Sequence, residues 1–163
     1  MSQIRAALLF APPVPDLIHQ LKYKGAFGLA EPLAALMVEE WERWQTAVDL
    51  ILPIPLYPDR QKRRGYNQSD LLVRHFAAHL KIPHDTAVLQ RVRNTPPQVG
   101  LSATERQKNM VDAFRAENGR VIGKRILLVD DVCTTGATLS AAAQALLAVG
   151  ARSVSAYCLA RAT

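Results

Sequence analysis

Four strongly apolar residues, Ile126 to Val129, run straight into two adjacent carboxylates, Asp130 and Asp131, and these into "VCTTGATL", a threonine and glycine turn opening a second apolar stretch. An apolar run this short reads as a buried strand, and the alanine-rich stretch from about Thr138 to Val149, closed at Gly150, reads as a helix. Few folds tolerate two carboxylates between such elements. In an α/β sheet this junction is the carboxyl end of a strand, where loops and helix N-termini converge on ligands.

The turn has its own chemistry. Backbone N–H groups at a helix N-terminus, the helix dipole and the hydroxyls of Thr134, Thr135 and Thr138 suit an anion, and Gly136 lets the backbone close in. Together these predict a monophosphate cradle. The two carboxylates disfavour phosphate and suit vicinal hydroxyls, or a hydrated divalent cation a few ångströms away. One ligand carries both features at this separation, a ribose 5-phosphate with its hydroxyls on the aspartates. A P-loop would need a lysine followed by Ser or Thr, a dinucleotide fingerprint needs three spaced glycines, and an acyl-transfer triad needs a nucleophile elbow; the sequence has none of them here. A metal-only acidic pair, and simple helix capping by Thr134 or Thr135, stay open.

The rest of the chain supplies a compatible frame. "VPDLIHQLKYKG" places Leu17, Ile18, Leu21 and Tyr23 at helical spacing with Gly25 as a stop, and "GLAEPLAALMVEEWERWQ" places Leu29, Leu33, Leu36, Met37, Glu40 and Trp44 near one face. Trp41 and Trp44 read as packing residues. "VDLILP" is a buried strand from Val48 to Pro53, ended by Pro53 and Pro55, then a charged loop, "YPDRQKRRGYNQ", and a helix from Ser69 to Leu80. "TAVLQR" is a short strand, Phe114 returns the chain to the core, and "SVSAYCLA" is a last strand. The expectation is an α/β domain with a mostly parallel sheet and helices on both faces.

At 163 residues, 49% of them hydrophobic, the chain is long enough for one domain with a real core and too short for two of full size. Two cysteines, Cys133 and Cys158, make neither a disulfide framework nor a four-thiolate zinc site. The apolar run Ala6 to Ala11 stops at Pro12 and Pro13, too short for a signal peptide or a membrane span. The reading is a soluble, cytoplasmic protein. The net charge is +6, yet the stretch from Arg60 to Lys108 holds ten Lys/Arg against three acids. A phosphate-rich ligand or a nucleic acid would require such an excess, and so would a basic face kept for solubility.

"ILLVDDVCTTGAT" resembles the binding motif for phosphoribosyl pyrophosphate (PRPP) in the type I phosphoribosyltransferases. "LIHQLKYKG", "RRGYNQSDLL", "RNTPPQVGLSATERQKNM" and "YCLAR" further resemble the ComF/GntX group of phosphoribosyltransferase-like proteins, over nearly the whole chain. The resemblance implies a type I phosphoribosyltransferase-like parallel sheet flanked by helices, one domain over 1–163, with 1–45 as a helical hood-like segment. Fuller members begin with a four-cysteine zinc ribbon, which this sequence lacks. PRPP is the implied ligand, bound along Asp130, Asp131, Val132, Cys133, Thr134, Thr135, Gly136, Ala137 and Thr138. Its pyrophosphate falls to Arg63, Arg64 and Gly65, with Tyr66 and Asn67 beside them. Multiple phosphate charges imply Mg²⁺, which Asp130 and Asp131 reach through water.

Departure of pyrophosphate leaves an oxocarbenium-like centre that water would trap, so a closing lid is expected. Arg93 to Met110 has the length and charge for one. Arg106 and Lys108 would reach leaving-group oxygens and act with the aspartates as catalytic residues; Gln98 and Asn109 would orient the acceptor or the loop. Group members are associated with natural transformation, which brings in single-stranded DNA, stacked on Tyr57, Tyr66 or Phe76, and competence-machinery proteins as partners. A homodimer is a further expectation. Weaker signals remain. His75 and His79 read as solvent-facing histidines rather than metal ligands, Cys133 as a small residue in the turn, and Lys22 and Lys24 as lining the site mouth or solvating the first helix.

Overall fold

The computed structural model describes residues 1, 3–44, 46–95, 105 and 110–162. At its centre lies a four-stranded parallel sheet in the order β1 (Ile4–Leu9), β6 (Ser153–Arg161), β5 (Arg125–Cys133), β2 (Leu50–Pro53). Strands β2 and β6 are apolar on both sides because both faces of the sheet are covered, as a parallel sheet requires. Helices α1 (Val14–Tyr23), α2 (Ala30–Trp41) and α4 (Gln68–Leu80) cover one face, and α5 (Ala137–Ala148) covers the other. The expected type I phosphoribosyltransferase-like sheet with helices on both faces is what the chain forms.

The aromatic cluster on the first face anchors α2 and α4. Trp41 meets Trp44 edge to face at 4.7 Å and Phe76 at 5.7 Å, and Tyr157 of β6 lies 5.3 Å from both indoles. The Tyr157 hydroxyl donates to Met37 O at 2.8 Å, so the phenol enters the core with its polar end satisfied. Trp41 and Trp44 are therefore packing residues, as expected. The buried face of α2 is Ala30, Leu33, Ala34, Met37, Val38 and Trp41; Leu36, expected inside, is exposed.

Three elements differ from the sequence reading. Ile4–Leu9 is a strand, part of a segment expected to be helical, and it runs parallel beside the last strand. The nine-residue β6 presents backbone groups on both edges, and β1 satisfies the edge that β5 leaves open. The charged loop after β2 contains helix α3 (Pro58–Arg64), with Pro58 in its first turn, Asp59 near its positive end, three basic residues in its last turn and Gly65 as a left-handed cap. The strand of the opening motif continues past Val129 to Cys133, because β6 is long enough to pair with it to Arg161.

"TAVLQR" contributes β3 (Leu89–Arg91), which pairs antiparallel with β4 (Phe114–Ala116) outside the main sheet. The expected lid connects these two strands. Arg106, Lys108, Gln98 and Asn109 lie outside the described residues.

Candidate functional site

The site begins where β2 stops. Pro53 is the last residue of β2 paired with β5, opposite Val129, and Ile54 N–H closes the ladder on Val129 O at 2.8 Å. Strand β5 runs on for four residues with a partner on the β6 side only. The missing neighbour leaves a cleft of 240 Å³ at the carboxyl end of the sheet. Lys22 and Tyr23 of α1, Arg60 and Arg64 of α3, Gln68 of α4, Arg91 of β3, and Asp130, Asp131 and Thr138 line it.

Asp130 and Asp131 face this cleft within the strand rather than just past its end. Asp130 Oδ1 accepts from Ser69 Oγ at 2.8 Å and from the Asp131 N–H at 2.9 Å. Asp131 is buried; its Oδ1 lies 3.5 Å from Gln68 Nε2 and its Oδ2 forms an ion pair with Lys22. Burial and the adjacent Asp131 charge push the Asp130 carboxyl up to about 8, against the opposing pull of Ser69 and Lys22. Burial alone would lower Lys22, but the charge and hydrogen bond of Asp131 hold its ammonium above the ordinary value.

Beyond the aspartates the chain turns into α5 through Gly136 at φ 78°. A side chain there would be strained by that φ, and a Cβ would stand 2.6 Å from Ile4 Cδ1. The turn encloses an 80 Å³ pocket lined by Asp130, Val132, Cys133, Thr134 and Gly136 to Leu139, which shares Asp130, Val132 and Thr138 with the lining of the cleft. The first turn of α5 brings N–H groups for which the helix has no carbonyl. Thr134 and Thr135 are exposed, and the Thr135 hydroxyl lies 3.4 Å from Ala137 N. Cys133 is buried with its thiol in the core. A hydrogen bond with Cys158 lowers the Cys133 thiol to about 7, burial opposing it, and the same contact raises Cys158.

The five residues assigned to pyrophosphate separate on the structure. Arg64 lines the cleft, its guanidinium 5.1 Å from the Tyr23 ring and donating to Gln68 Oε1. Arg63 is exposed on α3 and is not among the cleft-lining residues. Gly65 caps α3; the Tyr66 hydroxyl donates to Leu21 O at 2.5 Å; Asn67 accepts from Ser69 N–H at 3.1 Å and donates to Ile54 O at 3.0 Å. These three bind the α3–α4 junction to α1 and to the end of β2. The sequence reading missed Arg60, Gln68, Ser69 and Arg91. Pro58 and Gly65 bracket a helix on which Arg60 and Arg64 are four apart, a spacing that was available.

Lys22 and Lys24 also part company, since Lys24 is exposed. His75 and His79 are exposed on α4, and among the described residues no group of three His, Cys, Asp or Glu could hold a metal. Of the rings expected to stack bases, Phe76 is fully buried, Tyr66 is half-buried and bonded, and Tyr57 is half-buried before α3; the exposed Tyr23 lines the cleft, and the exposed Phe27 packs on Tyr66 at 4.7 Å. No described helix is long and apolar enough to cross a membrane.

Comparison with known proteins gives the family and the fold. Residues 66–163 match the phosphoribosyl transferase domain. The DNA utilization protein YhgH of Salmonella typhi is 41% identical over 157 residues, covering 93% of this chain and 69% of that protein. Competence protein F of Haemophilus influenzae is 36% identical over 160 residues, covering 94% of this chain and 70% of its own, and competence protein ComFC of Streptococcus pneumoniae is 31% identical over 96% and 67%. Among solved structures, the glutamine PRPP amidotransferase from B. subtilis superimposes with a TM-score of 0.58 at 18% identity, over 86% of this chain and 30% of that one. Adenine phosphoribosyltransferase from Saccharomyces cerevisiae gives 0.50 at 15%, over 84% and 69%. At such identities these two speak for the fold.

Proposed function

The chain belongs to the phosphoribosyl transferase domain family, in its competence-associated group with YhgH, competence protein F and ComFC, and from that premise we propose that it binds PRPP and transfers the phosphoribosyl group. The observation that carries this is that the two cavities share lining residues. Asp130 lines both a helix-N-terminal pocket sized for a phosphate and a larger cleft edged with cations, and Asp131 lines the cleft.

In this reading the 5-phosphate lies in the Thr134–Thr138 turn and the ribose hydroxyls on Asp130 and Asp131. Arg60, Arg64 and Arg91 meet the pyrophosphate, and α1, in the hood-like segment 1–45, flanks the acceptor side. The leaving-group role expected of Arg106 and Lys108 falls on residues outside those described. Mg²⁺ fits as an ion carried in on the diphosphate and touched through water by the aspartates, where it would neutralise leaving-group charge. Two carboxylates already tied to Lys22 and Ser69 are a poor cage for a resident metal.

A second reading, compatible with the first, is single-stranded DNA binding in partnership with competence proteins. It rests on the exposed rings of Tyr23, 5.1 Å from the Arg64 guanidinium, and Phe27, together with the exposed Lys62 and Arg63 of α3. Calorimetric titration of PRPP with Mg²⁺ into wild type and Asp130→Asn/Asp131→Asn tests the first reading, with competition by a short oligonucleotide at two salt concentrations testing the second. Wild-type binding abolished by the double change supports the PRPP site and justifies an acceptor screen. DNA binding with a steep salt dependence and no PRPP binding replaces the first reading with the second.

A further inference from the structure

The two aspartates are held by residues that no ligand role explains. Ser69 is fully buried in the first turn of α4, yet the cap there is Asn67; the Ser69 hydroxyl instead crosses to Asp130. Lys22 lies in the last turn of α1 with its side chain 23% exposed and paired with Asp131, itself 5% exposed. A mostly buried ammonium is costly unless paired, so the contact fixes both partners. Asp130 Oδ1 already accepts two hydrogen bonds, and this orients its other oxygen independently of any ligand.

Resting on the ribose-phosphate reading above, we propose that Lys22 and Ser69 are positioning residues for the sugar: each locks one aspartate so that the pair grips vicinal hydroxyls, and together they set the preference for ribose over deoxyribose. Removing the Lys22 ammonium would leave Asp131 buried without its counter-charge and free to rotate. Removing the Ser69 hydroxyl would release Asp130 from α4. Neither change touches the Thr134–Thr138 turn, so phosphate affinity stays.

The test uses ribose 5-phosphate and 2-deoxyribose 5-phosphate as probes, titrated without metal into wild type, Lys22→Met, Lys22→Arg and Ser69→Ala. The expected wild-type preference for ribose is ~10-fold or more, the usual worth of hydrogen bonds to charged groups. It should shrink in Lys22→Met and Ser69→Ala, through a larger loss of ribose than of deoxyribose affinity because the deoxy sugar keeps only its 3-hydroxyl for the pair, and return in part in Lys22→Arg. If both affinities fall together at a constant ratio, Lys22 is a phosphate contact or a structural residue and the inference is overturned. A wild type that binds neither sugar phosphate removes the ribose-phosphate reading itself. Should Ser69→Ala fail to fold, Lys22→Met, at a partly exposed position, carries the test.

Discussion

Gly136 and Ile4 meet where the turn into α5 packs on the first strand: a Cβ on Gly136 would lie 2.6 Å from Ile4 Cδ1. The N-terminal strand is thereby part of the wall of the turn, and the glycine is required by space as well as by its φ of 78°. Gly136→Ala should lower stability by about 2 kcal/mol or more, the left-handed conformation and the overlap adding. Adding Ile4→Val removes the offending methyl and should recover part of the loss, while Ile4→Val alone costs about 1 kcal/mol. Thermal unfolding of the three variants checks this. Strictly additive losses would show that the two positions do not interact.

The raised Asp130 carboxyl carries a stability cost. In the unfolded chain an aspartate loses its proton near pH 4, whereas the folded one holds it to about 8, so the folded state binds more protons across this window. The contribution is fully present below about pH 4 and is lost as pH rises toward 8. Asp130→Asn removes the titration and should raise the midpoint of thermal unfolding at pH 8 by roughly 3–6 °C, on the order of 1–2 kcal/mol, with a smaller gain at pH 5. The same change should abolish PRPP binding. A variant less stable than wild type at pH 8 would contradict the sign.

The ligand turn was legible because its signals are local. Apolar residues, carboxylates, threonines and glycine within fourteen positions fix strand, turn and helix without reference to the rest of the chain. What was not legible depends on pairing at a distance. The strand at Ile4–Leu9 exists because β6, some 150 residues later, lacks a neighbour. The extension of β5 through both aspartates likewise follows from the length of β6. Ser69 and Gln68 are 61 and 63 residues from the carboxylates they meet, and a serine or glutamine at a helix start carries no mark of a distant partner. Helix α3 was a different failure: net charge outweighed a Pro58 and Gly65 frame that was present all along.

Asn67 predicts a structural defect rather than a ligand one. Its side chain caps α4 and pins the end of β2 through Ile54 O. Asn67→Ala should cost about 1–2 kcal/mol as a lost cap, with the buried Ile54 carbonyl adding to it. Asn67→Asp keeps the acceptor for Ser69 N–H but cannot donate to Ile54, so it should fall between alanine and wild type in urea unfolding.

Asp49 supplies an acid-side control far from the ligand. Its carboxylate accepts the Arg125 N–H at 2.8 Å, Nε at 2.9 Å and the terminal guanidinium nitrogen at 2.6 Å, which hold it well below the usual carboxylate range. A depressed carboxylate stabilises the fold above the unfolded value and loses that contribution as pH falls through the folded one. Asp49→Asn should therefore melt earlier than wild type at pH 7, with a gap that narrows in acid and no change in PRPP affinity.

Cys133 tests which atoms of the turn act on the ligand. Its thiol sits in the core next to Cys158 and is 3.8 Å from Thr134 O, whereas the proposed phosphate contacts come from the backbone of the turn. Cys133→Ala should keep PRPP affinity within about twofold and lower stability by about 1 kcal/mol, the cost of a small buried truncation. A lowered thiol also suggests a nucleophile, but no histidine or other base is bonded to it among the described residues, and Cys133 lines the small pocket of the turn rather than the cleft. Loss of binding as complete as that of Asp130→Asn/Asp131→Asn would make the thiol part of the site and force a different account of the turn.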